Sequence, residues 1–511
     1  MLQIIFEVIM RLKELLSCIE IKKYSSDTYP NIDVLCLCHD SRRAIAGSVF
    51  VCKSGSVSDG HGYAPAAYSN GARVFIAERP LSLPDDALVC IVEDTAAALS
   101  ALAQKFYGYP AGELKIIGIT GTKGKTTLAL SIYDIGTKYG FKMGYIGTNG
   151  VLYGNLGEDT ANTTPDVLEL QRILRDMANA RVEYVVLEVS SQALWQKRID
   201  GLSFYITVFT NLYLDHIGGV EHPTFEHYRD CKRMLFADYK TQNSIINLDS
   251  DYARYMMESL DSTRTLTVSA KGNSAADMYA ENLKKVKLGN SLGIKFQCRG
   301  FAFSGEEIFL PSPGSYSAEN ALEVIAACLL LGIDRDFITN SLQTLIIKGR
   351  CETVSVLSKP NTMFIIDYAH NGASLSSVLQ ALKEYNPTRL ICLFGSVGTR
   401  TFGRRRELAE AAKEHADIII VTSDNPAGEA PSHIINDICS HLTDCEKPVY
   451  KFEDRAEAIR FAVNISAEGD YVLLAGKGHE NYQLIGAKKV PFSERDILLE
   501  FDSHHNTKFK L

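Results

Sequence analysis

The sequence predicts an α/β protein with largely parallel sheets, divided into three compact domains. Short apolar runs alternate with helical patterns almost throughout the chain, the signature of strand–helix units that build parallel sheets. A length of 511 residues corresponds to about three domains at roughly 100–200 residues each. No fixed-period repeat, low-complexity tract or Gly/Ser linker interrupts the alternation.

Residues 1–16 read as the start of an amphipathic helix, or as an upstream extension if translation begins at Met10. A signal peptide is not expected there: a basic leader and a small-x-small cleavage site are missing, and Glu7 interrupts the apolar run. Strands are expected at Val34–Cys38, Gly47–Cys52, Ala72–Ala77 and Ala87–Val92, followed by a helix from Thr95 to Tyr107. Lys115–Thr120 opens a new strand–helix unit, which sets the first domain at 1–111. The second, 112–347, continues through strands at Val185–Val189, Tyr205–Thr210 and Ser244–Leu248 to a helix from Ala318 to Leu331. The third, 348–511, repeats strand–helix units at Met363–Asp367, Leu390–Phe394, Ile418–Thr422 and Tyr471–Ala475.

Composition narrows the function. With 46% hydrophobic and 22% charged residues the chain is an ordinary globular one, neither disordered nor collagen-like. A net charge of −8 argues against a protein that coats nucleic acid. No run of about 18 apolar residues is present, so no membrane span is expected. The 12 cysteines are scattered and form no C-x-x-C, so neither a zinc framework nor a disulfide scaffold is indicated and a cytoplasmic location is expected. The one close pair, Cys36 and Cys38, is expected to point to opposite faces of a strand.

Gly121-Thr-Lys-Gly-Lys-Thr-Thr127 follows an apolar strand and opens a helix expected to run to Tyr139, with Gly140 as its C-cap. Glycines let backbone N–H groups approach phosphate oxygens, and a helix N-terminus adds partial positive charge. In such a loop Lys125 reaches the β/γ-phosphates and Thr126 offers its hydroxyl to Mg²⁺. Ile119 stands where the first glycine of the usual spacing belongs, so the loop is a variant. Glu188 ends a strand, where α/β sheets bind ligands, and His216 follows another strand. Lys232 sits on a helical pattern, His227–Phe236. Taken singly, these three also read as a helix cap, a surface turn residue and a solvated helix face.

The loop, Glu188-Val-Ser-Ser191, Thr210-Asn-Leu-Tyr-Leu-Asp-His216, Asp367-Tyr-Ala-His370, Asp424-Asn-Pro426 and Gly476-Lys-Gly-His-Glu480 occur in this order. The series resembles the Mur ligase family, ATP-dependent enzymes that build the peptide stem of bacterial peptidoglycan, and within it the branch that adds the third residue. The resemblance runs from Asp40-Ser-Arg42 to Pro491. Gln192, Ser317 and Cys351 depart from frequent family residues, and none removes a charge the chemistry needs.

The resemblance implies a central P-loop-type domain between a smaller N-terminal α/β domain and a C-terminal domain of dinucleotide type. It assigns a UDP-sugar to the N-terminal domain, with His39, Ser41, Ser56, Val57 and Ser58 at nucleotide-contact positions. Asn162, Thr163, Thr164, Ser190, Gln196 and Arg198 would hold the attached sugar-peptide. ATP would lie on Gly121, Thr122, Lys123, Gly124, Lys125, Thr126 and Thr127, with Asn320, Arg350 and Asp367. Mg²⁺ would be held by Thr126 and Glu188, with a second ion near His216 and Lys232. An ammonium cannot ligate a cation; in the family this lysine is carbamylated by CO₂, making Lys232 an N6-carboxylysine. Lys125, Glu188, His216 and Lys232 form the implied catalytic group.

The implied reaction phosphorylates a carboxylate to an acyl phosphate, which the amino group of the next residue attacks. Its partners are UDP-N-acetylmuramoyl-dipeptide, ATP and an amino acid, with a monomeric enzyme expected. The amino acid falls to Arg400, Asp424, Asn425, Pro426, Ala427, Gly476 and Glu480. Members that add meso-diaminopimelate typically read Asp-Asn-Pro-Arg, whose arginine forks onto the distal carboxylate; Ala427 stands there instead, so L-lysine is expected and meso-diaminopimelate comes next. Glu429 is a candidate partner for the lysine ammonium, and Arg400 with Arg404–Arg406 a candidate carboxylate clamp. The rival readings are a folylpolyglutamate-synthetase-like ligase, which lacks the N-terminal domain, and a silent muropeptide-binding paralogue. Retention of Lys125, Thr126, Glu188, His216 and Lys232 argues against the second.

Overall fold

The computed structural model describes residues 10–25, 32–54, 59–214, 217–218, 221–399 and 402–506. The expected contacts Ser56, Val57, Ser58, His216 and Arg400 lie outside the described residues. The chain divides into two compact units, residues 1–268 with 326–333, and 269–325 with 334–511. No helix among the described residues is long and apolar enough to cross a membrane.

The first unit holds a small sheet in the order Lys23–Tyr24, Leu88–Ile91, Val74–Ala77, Ser48–Val51, Cys36–Cys38, parallel except for the first strand. Ser48–Val51 and Val74–Ala77 are buried throughout, as parallel strands covered on both faces must be. Val49, Val51, Val74 and Ile76 face Leu99, Leu102 and Phe106 of the helix Thr95–Phe106. Phe50, Phe75 and Ala77 face Ala64 and Ala67 on the other side. Cys38 belongs to this second cluster with Cys36 packed against it, which corrects the expectation of opposite faces: residues two apart on a strand share a face.

The larger sheet of this unit contains six parallel strands in the order Met143–Gly147, Tyr184–Glu188, Lys115–Thr120, Phe204–Phe209, Thr241–Asn247, Thr265–Ser269. Antiparallel strands Gly150–Tyr153 and Leu156–Glu158 extend it beyond Met143–Gly147. The helix Lys125–Tyr139 ends at Gly140 with φ +108°, the left-handed C-cap expected from sequence.

The second unit carries an antiparallel ribbon, Met278–Leu288, Ser291–Gly300 and Phe303–Leu310, which the sequence reading missed. Its six-stranded sheet runs Glu352–Val354, Met363–Asp367, Tyr471–Ala475, Leu390–Phe394, Ile418–Thr422, Val449–Phe452, and only the first strand is antiparallel. The carboxyl ends of these parallel strands bring Asp367, Asp424 and Gly476 to one edge, the edge at which open α/β sheets bind ligands.

Candidate active site

The phosphate loop is held by hydrogen bonds to its own backbone and to the strand end at Thr210 and Asn211. Gly121 has φ +151°, and a Cβ there would lie 1.9 Å from Thr210 Oγ1, so no other residue fits. The Lys123 amide donates to Asn211 Oδ1 at 2.9 Å, and Thr210 Oγ1 donates to the Lys123 carbonyl at 2.7 Å. Lys125 Nζ donates to the carbonyls of Gly121 and Thr122 at 2.8 and 3.1 Å, which holds the ammonium over the loop.

Glu188 is fully buried beside it. Its carboxylate accepts from Tyr145 OH at 2.6 Å, Thr126 Oγ1 at 2.9 Å and the Thr148 amide at 3.1 Å. The paired oxygens of Thr126 and Glu188 are hard donors on a glycine-rich cradle, a set that fits Mg²⁺ with a nucleotide phosphate. Lys232 lies on the helix Phe225–Ala237 and is 1% exposed, which corrects the solvated-face reading. Its Nζ donates to the Gly121 carbonyl at 2.9 Å and stands 4.5 Å from the Tyr228 ring centroid. Tyr228 in turn pairs with Thr122 Oγ1 at 3.0 Å, so Lys232 and the loop share one packed network.

A cavity of about 820 Å³ opens nearby in the same unit, lined by His39, Ser41, Lys53, Tyr63, Trp195 and Gln196 among others. His39 Nε2 is 3.1 Å from Asp166 Oδ1, and Lys53 Nζ is 3.5 Å from Asp166 Oδ2. Burial alone would raise the Asp166 carboxyl, but the His39 hydrogen bond and the charges of His39 and Lys53 hold it well below the usual carboxylate range. Thr164 Oγ1 donates to the Glu188 carbonyl at 2.8 Å and accepts from the Ser190 amide at 3.0 Å. Arg198 donates to the Thr164 carbonyl at 2.9 Å and to Gln196 Oε1 at 2.7 Å. Thr163 Oγ1 pairs with Thr148 Oγ1 at 3.1 Å, whereas Asn162 is exposed. Most of the expected sugar-peptide residues thus belong to one hydrogen-bonded patch running from Glu188 to the cavity wall.

In the second unit Lys477 is the hub. Its fully buried ammonium donates to Glu480 Oε2 at 2.9 Å, Asn425 Oδ1 at 3.0 Å and Asp424 Oδ1 at 3.3 Å. Gly476 approaches closely enough that a Cβ would sit 3.1 Å from Asp424 Oδ2. Ala427, after Pro426, has φ +51° and donates its amide to the Leu484 carbonyl at 2.9 Å. Asp367 accepts from the backbone amides of Cys351 and Ala369 at 2.7 and 2.8 Å, and the Arg350 guanidinium lies 4.9 Å from the Tyr368 ring centroid. Asn320 is on the helix Tyr316–Leu330.

Glu429 does not wait for a ligand. It accepts from Arg405 Nη2 at 2.6 Å and the Thr399 amide at 2.9 Å, while Arg405 also donates to Asp437 at 2.9 Å. This corrects its role as an open ammonium partner. It also corrects the solvated reading of Arg404–Arg406 at its middle residue, since Arg405 is buried and only Arg406 is exposed. Sequence reasoning missed Lys53, Asp166, Tyr145 and Thr148, which no local spacing links to their partners. Lys477 was within reach, being part of the Gly-Lys-Gly-His-Glu motif itself.

Residues 34–107, 119–328 and 349–478 match, in turn, the Mur ligase family catalytic domain, the Mur ligase middle domain and the Mur ligase glutamate ligase domain. The chain is 38% identical over 467 residues to the UDP-N-acetylmuramoyl-L-alanyl-D-glutamate–2,6-diaminopimelate ligase of Clostridium botulinum, covering 90% of this chain and 94% of that one. Identity is also 38% to the protein of the same name from Caldanaerobacter subterraneus, over 96% of this chain and 98% of that one. A solved structure of such a ligase superposes with TM-score 0.67 at 28% identity, covering 97% of this chain and 99% of that one. The fold is shared more distantly by Mycobacterium tuberculosis folylpolyglutamate synthase, with TM-score 0.58 and 17% identity over 73% of this chain and 91% of that one. With matches in the small N-terminal domain as well as in the two that follow, the chain belongs to the Mur ligase family, the ATP-dependent ligases of peptidoglycan synthesis.

Proposed function

We propose that this ligase joins a diamino acid to UDP-N-acetylmuramoyl-L-alanyl-D-glutamate, with meso-diaminopimelate as its first substrate. The observation that carries the reaction is the convergence of Thr126, Glu188 and Lys232 on one phosphate loop. Two anions, a carboxylate and a triphosphate, must be brought together, so positioning and charge neutralisation do most of the work. Lys125 places its charge at the β/γ-phosphates, and the loop amides hold the phosphate oxygens. Mg²⁺, when bound by Thr126 and Glu188, supplies further neutralisation of the transferring phosphoryl group. Lys232 Nζ, on losing two protons and adding to the carbon of CO₂ as one C–O π bond opens, would become a carbamate, whose carboxylate could hold a second ion. The cavity lined by His39, Lys53 and Trp195 takes the UDP end, and Thr164, Ser190 and Arg198 orient the peptide toward the γ-phosphate. Asp424, Asn425 and Glu480, held by Lys477, receive the amino acid.

The choice of amino acid rests on opposed observations. Relatives over 90% or more of the chain are named as diaminopimelate ligases, and Glu429 is engaged by Arg405 instead of being open to a lysine side chain. Against them stands Ala427, which removes the arginine fork for a distal carboxylate and favours L-lysine. A charged hydrogen bond is worth about 1.5–3 kcal/mol, so that difference alone amounts to roughly tenfold or more. Comparing kcat/KM for the two amino acids in the wild type and in Ala427→Arg decides the matter. Preference of the wild type for meso-diaminopimelate is expected. Preference for L-lysine that Ala427→Arg reverses would hand the specificity to Ala427.

A further inference from the structure

We infer that His222, His227 and Cys231 form a binding site for a thiophilic divalent transition metal of the Zn²⁺ class, separate from the magnesium ligands. One donor atom from each residue lies within 4.8 Å of the other two. His222 Nδ1 and His227 Nδ1 are 2.9 Å apart, and Cys231 Sγ is 3.8 Å from His227 Nδ1. Tetrahedral zinc, with Zn–N about 2.0–2.1 Å and Zn–S about 2.3 Å, sets its donors roughly 3.3–3.6 Å apart. The separations of 2.9 and 3.8 Å bracket that spacing, and no pair in the set exceeds 4.8 Å.

Local structure explains why the donors converge. His227 and Cys231 are four residues apart on the helix Phe225–Ala237 and share a face. Thr224, two residues after His222, caps this helix, its Oγ1 accepting from the His227 amide at 3.2 Å. His222 Nε2 pairs with Ser191 Oγ at 2.8 Å, so Nδ1 is the nitrogen presented to the cluster. A bond of this kind on the far nitrogen fixes the ring of a metal-bound histidine. His222 and Cys231 are buried, while half-buried His227 leaves an approach from solvent. The Trp195 ring, 5.0 Å from His227 and 5.9 Å from His222, walls the site. A thiolate with two imidazoles selects a borderline or soft ion over Mg²⁺. Because the next residue is Lys232, metal here would tie the start of its helix to the helix Ser191–Trp195.

The test uses chelator-stripped full-length protein with Co²⁺ as a spectroscopic probe, so its readout does not depend on ligase activity. The expected result is one equivalent of Co²⁺ with a thiolate-to-cobalt charge-transfer band that excess Mg²⁺ does not displace. Cys231→Ser should abolish the band, His227→Gln should weaken binding at least tenfold, and Ser191→Ala should weaken it by about 10–100-fold through His222. The double variant Cys36→Ser/Cys38→Ser should leave the band intact. Absence of Co²⁺ binding by folded wild-type protein, or a band that survives in Cys231→Ser, would overturn the site. If circular dichroism shows Cys231→Ser unfolded, His227→Gln decides, and undiminished affinity there overturns it equally.

Discussion

Lys232 carries the sharpest residue-scale prediction, because a cation at 1% exposure with a backbone carbonyl and an aromatic ring for company has a reason to be there. Lys232→Ala should lower kcat by at least about 10³-fold, as loss of a key charge-stabilising group does, while circular dichroism stays native. Short carboxylic acids should restore part of the rate by standing in for the carbamate. Turnover at the wild-type level in Lys232→Ala would sink that assignment. At Lys125 the expectation separates two ligands: Lys125→Ala should lose ATP-dependent chemistry yet keep its affinity for the UDP-sugar-peptide in calorimetry. Asp166 predicts a pH effect. Its folded pKa lies below the unfolded value of about 3.9, so its stabilisation is present above about pH 4 and is lost as pH falls through the folded value. Asn keeps the helix cap at Leu168, so the melting-temperature advantage of wild type over Asp166→Asn should shrink as pH falls into the acid range below about 4.

Among elements, the phosphate loop is the least tolerant of change. Gly121→Ala meets Thr210 Oγ1 and a left-handed φ together, and should cost more than about 1 kcal/mol in stability as well as ATP binding. Chemical denaturation with and without nucleotide checks both. Strand recovery follows a physical rule. Lys115–Thr120, Met363–Asp367, Leu390–Phe394, Ile418–Thr422 and Tyr471–Ala475 were read with their observed bounds. Strands covered on both faces are continuous apolar runs, which need no register to be seen. The ribbon Met278–Leu310 was missed for the opposite reason: Lys284, Lys285 and Lys287 face solvent, and the strand through them alternates weakly.

At the scale of the whole molecule, the ligase reading makes ADP formation conditional. ADP release should rise at least about tenfold only when UDP-N-acetylmuramoyl-L-alanyl-D-glutamate and the amino acid are both present, since remote binding energy supports the transition state. Release that ignores the UDP substrate would return the silent-paralogue reading to contention. The sequence by itself determined the α/β class, the phosphate loop and the ordered motifs of the family, because each is a local pattern of glycine, charge or apolar residues. Tertiary structure alone decided which side chains answer one another. Lys53 meets Asp166 from 113 positions away, Glu188 gathers Tyr145 and Thr126, and Arg405 claims Glu429. His222, a loop residue, joins a helical His–Cys pair. Strand order and helix caps set those pairings, and neither is written in the spacing of any one segment.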